Sequence, residues 1–195
     1  MSKQWTAFRA NMKQRREIYE WMKQQFPSSE LKPLSAIELL CAQKRYDVWG
    51  FCENDRLEAY AHLARVADGR MFLMDYFGVL PEFQHAGKGS EVLSRLREML
   101  DGEAILVEAE NPEMIENPED AETAAARIRF YERNGYRQTS IRVFLFNVDY
   151  VILVQPLKSK PDDDVLQQAL DGFYRSTVPS LIYKKNVQFR RVYDD

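Results

Sequence analysis

The residues that could hold a phosphate stand together in Gln84-His85-Ala86-Gly87-Lys88-Gly89-Ser90. Glycines at 87 and 89 let the backbone approach an anion closely, because no Cβ blocks it. Unpaired N–H groups at the start of a helix, and the positive end of its dipole, favour negative charge in such a turn. The triphosphate pattern G-x-x-x-x-G-K-[ST] does not fit Gly87-Lys88-Gly89-Ser90, and G-x-G-x-x-G lacks its third glycine. Spacing alone leaves two readings: a pyrophosphate turn, or a glycine-rich turn that merely joins two elements. Lys88 is either a phosphate contact or a solvated surface charge.

The elements that must position this turn are legible around it. Met71 to Val79 is apolar except for Asp75 and aromatic-rich, which predicts a buried strand. Pro81 ends it, having no N–H to donate. A helix follows from about Ser90, with Val92, Leu93, Leu96, Met99 and Leu100 on one face, and Asp101-Gly102 stops it. Upstream, residues 11 to 26 predict a helix carrying Tyr19, Met22 and Phe26, and Leu34 to Arg45 a second one capped by Ser35. Val48 to Glu53 and Leu57 to Val66 predict strands around an Asn54-Asp55 turn. Three antiparallel strands thus precede the glycine turn.

Downstream, Ala104 to Ala109 predicts a strand; strand, helix and strand in succession imply a right-handed crossover and parallel pairing. Asn117 caps a helix that ends at Asn134-Gly135, with Pro118 at its first position. Ile141 to Phe146 and Tyr150 to Gln155 predict strands around Asn147-Val148-Asp149. A last helix runs from Asp162 to about Tyr174, and Val187 to Tyr193 is extended. The order ααβββαβαββ with an α-containing tail predicts an α/β fold, a mixed central sheet with helices on both faces. Residues 1–157 form the domain and 158–195 an extension, packed on that domain or on a partner subunit.

Composition narrows the function. The 195 residues carry a formal net charge of −3, which gives no support for nucleic-acid binding. Cys41 and Cys52 read as small buried hydrophobes of a reducing cytoplasm. No Cys/His spacing suits a metal. The N-terminus has no apolar core like that of a secretory signal, and no run reaches membrane-spanning length. The expectation is a cytoplasmic protein, with no membrane partner.

Gln84-x-x-Gly87-x-Gly89 resembles the Q/R-x-x-G-x-G/A signature of the GNAT acyltransferases, and Phe130-Tyr131-Glu132-Arg133-Asn134-Gly135-Tyr136 resembles the family's F-Y-E-x-x-G-F. Both lie in the expected order with a strand between them, and the likeness spans roughly residues 10 to 157. Phe26-Pro27-Ser28-Ser29-Glu30 also resembles a segment of a bacterial GNAT subgroup of unassigned substrate. The resemblance implies a GNAT fold, acetyl-CoA as cosubstrate and no metal. It implies cofactor binding by Val79, Gln84, His85, Ala86, Gly87, Lys88, Gly89 and Ser90.

The resemblance also implies direct transfer of an acetyl group to an amine. A free alkyl amine, of pKa near ~10.4, must lose a proton first, which a carboxylate can take. Glu108 stands where several amine-acetylating members carry a glutamate, and Tyr131 where the family most often protonates the leaving thiolate. Glu30, Asp75 and Glu110 would face the acceptor. Asp75 is the alternative base, or else a hydrogen-bonded carboxylate. His62 and His85 read as structural or solvent-facing. Glu108, Glu110, Glu113, Glu116, Glu119, Asp120 and Glu122 would draw in a cation, or merely begin a helix. Ala124 and Arg127 depart from the family, which often has asparagine and alanine there, and the stretch between Glu108 and Tyr131 is longer than usual.

Three functions follow: an acetyl-CoA-dependent N-acetyltransferase acting on a small-molecule or peptide amine, a non-catalytic acyl-CoA-binding regulatory module, and a toxin-like enzyme acting on charged tRNA, which the acidic balance disfavours. A homodimer stays open.

Overall fold

The computed structural model describes residues 5–192. These residues hold eight strands and six α-helices, the mixed α/β class that the sequence predicts. They fall into two units, described separately: the described part of Met1–Arg65 with Met74–Leu100, and Val66–Leu73 with the described part of Asp101–Asp195.

In the first unit, β1 (Trp5–Arg9) pairs antiparallel with β2 (Tyr46–Glu53), and β2 with β3 (Arg56–Val66). The strands neighbour one another in the order β1-β2-β3-β4, where β4 is Met71–Val79. Four strands therefore precede the glycine turn, not three. The Asn54-Asp55 turn is confirmed: both residues have positive φ, the conformation that two-residue hairpins demand.

Helix α1 (Met12–Gln25) starts in a reciprocal cap. Gln14 N–H donates to Asn11 Oδ1 at 3.0 Å, and Asn11 N–H donates to Gln14 Oε1 at 2.9 Å. Its buried face is Ile18 and Met22, one turn apart. Helix α2 (Leu34–Ala42) has Pro33 at its cap with no side-chain bond, so Ser35 lies inside the first turn rather than capping it. It ends short of Arg45 because Lys44 turns left-handed, at φ 57°. Helix α3 (Lys88–Met99) buries Val92, Leu93 and Leu96.

In the second unit, β5 (Ala104–Glu110), β6 (Arg137–Leu145), β7 (Val148–Pro156) and β8 (Val187–Arg191) neighbour one another in the order β5-β7-β6-β8, every pair antiparallel. Strand β5 runs one residue further than predicted and includes Glu110. The β6–β7 turn is Phe146-Asn147, both at positive φ, one residue earlier than expected. A register shift interrupts β6 between Gln138 and Arg142. Thr139 patches it, its hydroxyl donating to Ile152 O at 2.8 Å and accepting from Ile141 N–H at 3.1 Å.

Helix α4 (Pro118–Arg133) is capped as predicted: Asn117 Oδ1 accepts from Glu119 and Asp120 N–H at 2.9 and 3.2 Å. Beyond Pro156 come α5 (Asp163–Thr177), the unpredicted α6 (Ser180–Asn186) and β8, which pairs with β6. Tyr193, the last residue of the predicted terminal strand, lies outside the described residues. No described helix is long and apolar enough to cross a membrane. Cys52 is buried, but Cys41 is only half-buried.

Candidate active site

The glycine turn leaves β4 through Leu80 and a short 3-10 turn at Pro81–Phe83. Its glutamine points back to the strand. Gln84 Nε2 donates to Val79 O at 3.0 Å, and Gln25 Nε2 donates to the same oxygen at 2.7 Å. Tyr60 OH holds Gln25 Oε1 at 2.5 Å, and Gly78 leaves the room this needs, since a Cβ there would sit 2.4 Å from the Tyr60 ring. Gln84 and Val79 are thus one structure, the anchored start of the turn.

His85 and Gly87 both take positive φ, 63° and 76°. Gly87 is the N-cap of α3, and the helix has no side-chain cap bond. The first N–H groups of a helix have no acceptor within it, so those of Lys88, Gly89 and Ser90 are left for an anion. No protein atom lies within 4 Å of a Cβ built at Gly87, so the left-handed φ demands glycine here, and the space before the turn is open.

Lys88 corrects the expectation of a solvated surface charge: its ammonium faces carboxylates of its own unit. The residue is buried, its Nζ 2.9 Å from Glu58, 3.3 Å from Glu53 and 3.5 Å from Glu91, and 5.1 Å from the centre of the Trp5 ring. Burial lowers its pKa, but the Glu58 and Glu53 hydrogen bonds more than offset this and the pKa is raised. What residue 88 can offer an anion is its N–H.

In the second unit, β5 carries Glu108 opposite Ile152 and Glu110 opposite Tyr150, two residues apart and so on one strand face. Glu108 Oε1 is shielded from solvent. Tyr131 is buried on α4, between the rings of Phe130 and Tyr136 at 5.3 and 5.2 Å. Burial pushes its pKa up to about 12, against a lowering influence of Arg127 one turn earlier. Arg127, which the sequence marks only as a departure from the family, has Nη1 3.8 Å from Glu110. In the acidic stretch, Glu122 pairs with Arg129 at 2.6 Å, and Glu119 and Asp120 occupy the first turn of α4.

Glu30, Asp75 and His62 lie in the first unit. The Glu30 carbonyl accepts from Tyr76 OH at 2.7 Å. Asp75 is a hydrogen-bonded, ion-paired carboxylate: Lys32 Nζ lies 2.9 Å from Oδ1 and 2.8 Å from Oδ2, and Tyr46 OH donates to Oδ2. His62 is fully buried, edge-on to Tyr46, Tyr60 and Tyr76. Burial lowers its pKa to about 3, Asp75 opposing and Lys32 reinforcing the shift. His85 is exposed.

No family model matches the sequence, and no curated protein does. Solved structures match over most of this chain and nearly all of their own length. A Bacteroides thetaiotaomicron protein assigned to the GNAT acetyltransferases superposes with a TM-score of 0.71 at 16% identity, over 90% of this chain and 99% of that one. This chain has the GNAT fold. An aminoglycoside 6′-N-acetyltransferase in complex with coenzyme A gives a TM-score of 0.60 at 13% identity, over 80% of this chain and 99% of that one. A Salmonella typhimurium protein assigned as an acetyltransferase, solved with its cofactor acetyl-CoA, gives 0.58 at 19% identity, over 82% of this chain and 99% of that one. Within this GNAT fold, Gln84–Gly89 forms the β4–α3 connection, and Phe130–Tyr136 the end of α4 and the step into β6.

Proposed function

We propose that the protein is an acetyl-CoA-dependent N-acetyltransferase acting on an amine of a small molecule or peptide. The observation that carries this is the open, uncapped N-terminus of α3 behind a left-handed Gly87, in a chain with the GNAT fold. The residues fit an acyl-CoA pyrophosphate: the first-turn N–H groups are unspent, and Lys88 leaves the space clear. Bound acetyl-CoA would supply an acetyl group activated as a thioester. Glu108 takes a proton from the acceptor's ammonium, freeing the nitrogen lone pair. As the C–N bond formed and the C–S bond broke, Tyr131 would give its hydroxyl proton to the departing sulfur, and the surplus proton that the nitrogen sheds as it becomes an amide would pass to the tyrosinate, directly or through water, and restore the phenol. A phenol with pKa near 12 holds that proton at neutral pH, so it is in the protonated form that an acid needs.

Calorimetry with acetyl-CoA and thiol release with a panel of amines test the two halves separately. Gly89→Asp should abolish acetyl-CoA binding by bulk and like charge; unchanged affinity would remove the phosphate reading. Tyr131→Phe should lower kcat by about 10²–10⁴ with cofactor affinity kept. Glu108→Gln should erase the low-pH limb of the rate profile. If that limb survives and Asp75→Asn loses it, Asp75 is the base. Binding with no thiol release over a wide panel would leave a non-catalytic acyl-CoA module.

A further inference from the structure

The Lys32–Asp75 pair has an uneven construction. Asp75 sits on the buried strand β4, its side chain 8% exposed, whereas the Lys32 side chain is 34% exposed and comes from the connection between α1 and α2. A buried carboxylate needs a cation, and what supplies it here reaches in from a rim open to solvent. The ammonium is met on several sides. Both Asp75 oxygens accept from Nζ, at 2.9 and 2.8 Å, and Nζ stands 5.4 Å from the centre of the Tyr76 ring. Tyr46 OH donates to Oδ2 and so orients the carboxylate. Beneath lies His62, edge-on to Tyr46 and Tyr76 at 5.7 and 5.6 Å; burial keeps it neutral, so its imidazole does not compete as a cation for Asp75.

We propose that Asp75, Tyr46 and Tyr76 form a binding site for a primary alkylammonium group, and that the Lys32 side chain occupies it as an internal stand-in. The Lys32 side chain is itself a linear alkylammonium, so the chain displays the ligand class that the site takes. The backbone is fixed independently of the side chain: Lys32 N–H donates to Tyr76 Oη at 2.9 Å, and Lys32 O accepts from Tyr19 OH at 3.1 Å. Only the four-carbon stem has to swing out for an outside amine to enter. Two ammonium hydrogens are spent on the carboxylate, so the site selects a primary ammonium over a quaternary one, which has none to give. That the natural occupant is the acetyl acceptor rests on the transferase function proposed above; the chemistry of the site does not.

The test uses the full chain and n-butylammonium as probe. Lys32→Ala empties the site. Its melting temperature should rise saturably with butylammonium chloride and not with equal tetramethylammonium chloride. Half-saturation should come at least tenfold lower than in the parent protein, where Lys32 competes at high effective concentration. The rise should vanish in Lys32→Ala/Asp75→Asn. If Lys32→Ala does not fold, Lys32→Gln, which keeps a neutral donor beside Asp75, takes its place. No rise, an equal rise with tetramethylammonium, or a rise that survives Asp75→Asn overturns the site. Failure of butylamine as an acetyl acceptor would count against the transferase function and not against this site, since the melting shift needs no acetyl donor.

Discussion

Two lysines of the first unit neutralise buried carboxylates in different ways. Lys88 belongs to α3, is itself buried, and faces Glu53, Glu58 and Glu91. Lys32 belongs to a connection, keeps a third of its side chain in solvent, and faces Asp75. The first cation is enclosed by the groups it serves and cannot be exchanged without unfolding their surroundings. The second is held at a rim, where another cation of the same shape can replace it. Position in the fold, not residue type, separates an anchor from an occupant.

Stability gives the largest expected contrast. Lys88→Met takes the ammonium away from the buried Glu58 and from Glu53, and should cost about 3–5 kcal/mol in urea unfolding. Lys32→Met should cost less than half as much, because water reaches Asp75 from the rim and Tyr46 still donates to it. Equal losses would dissolve the distinction. Butylammonium should restore part of the Lys32→Met loss and none of the Lys88→Met loss.

Acid unfolding sharpens the contrast, because His62 responds to the Lys32–Asp75 pair. Its pKa is about 3 folded against an ordinary value of 6.5. Between these values the unfolded chain binds a proton that the folded chain does not, so stability is intact above 6.5 and falls as pH drops. The slope from this one group is about 1.4 kcal/mol per pH unit. His62→Phe should remove that share of the acid slope. Lys32→Met should narrow the window by raising the folded pKa, since Lys32 lowers it while Asp75 raises it. Urea midpoints at a series of pH values read both; an identical slope in His62→Phe and the parent would mean that the imidazole is already protonated when folded.

The smallest effect separates backbone from anchor in the glycine turn. Gly87→Ala should cost about 1–2 kcal/mol through its left-handed φ alone, and Gly87→Asn less, because asparagine tolerates that conformation. If both cost nothing, the turn is set by Lys88 and not by Gly87.

Much of this was legible in the sequence, and the misses have physical causes. The glycine turn, the capped start of α4 and the left-handed step at Gly135 are local, fixed by residues within a few positions of one another. Strand β1 escaped notice because Trp5–Arg9 is short and mostly half-buried or exposed, so it shows no alternation. Helix α6 is seven residues long, buries Tyr183 alone and leaves Leu181 84% exposed, so its apolar residues trace no stripe. The partners of Lys88 and Asp75 are harder still: Glu58 and Lys32 lie thirty and forty-three positions away, and nothing local announces them. Arg127 could have been found, because it lies one helical turn before Tyr131.

The enclosure of Lys88 also bears on chemical self-protection. A protein that handles an activated thioester risks acylating its own amines, and only an unprotonated amine attacks. Lys88 is part of the turn where the donor would rest under the proposed function, yet its raised pKa and carboxylate surroundings keep it charged. Prolonged incubation with acetyl-CoA, read by peptide mass spectrometry, should mark exposed lysines such as Lys184 and Lys185 well before Lys88.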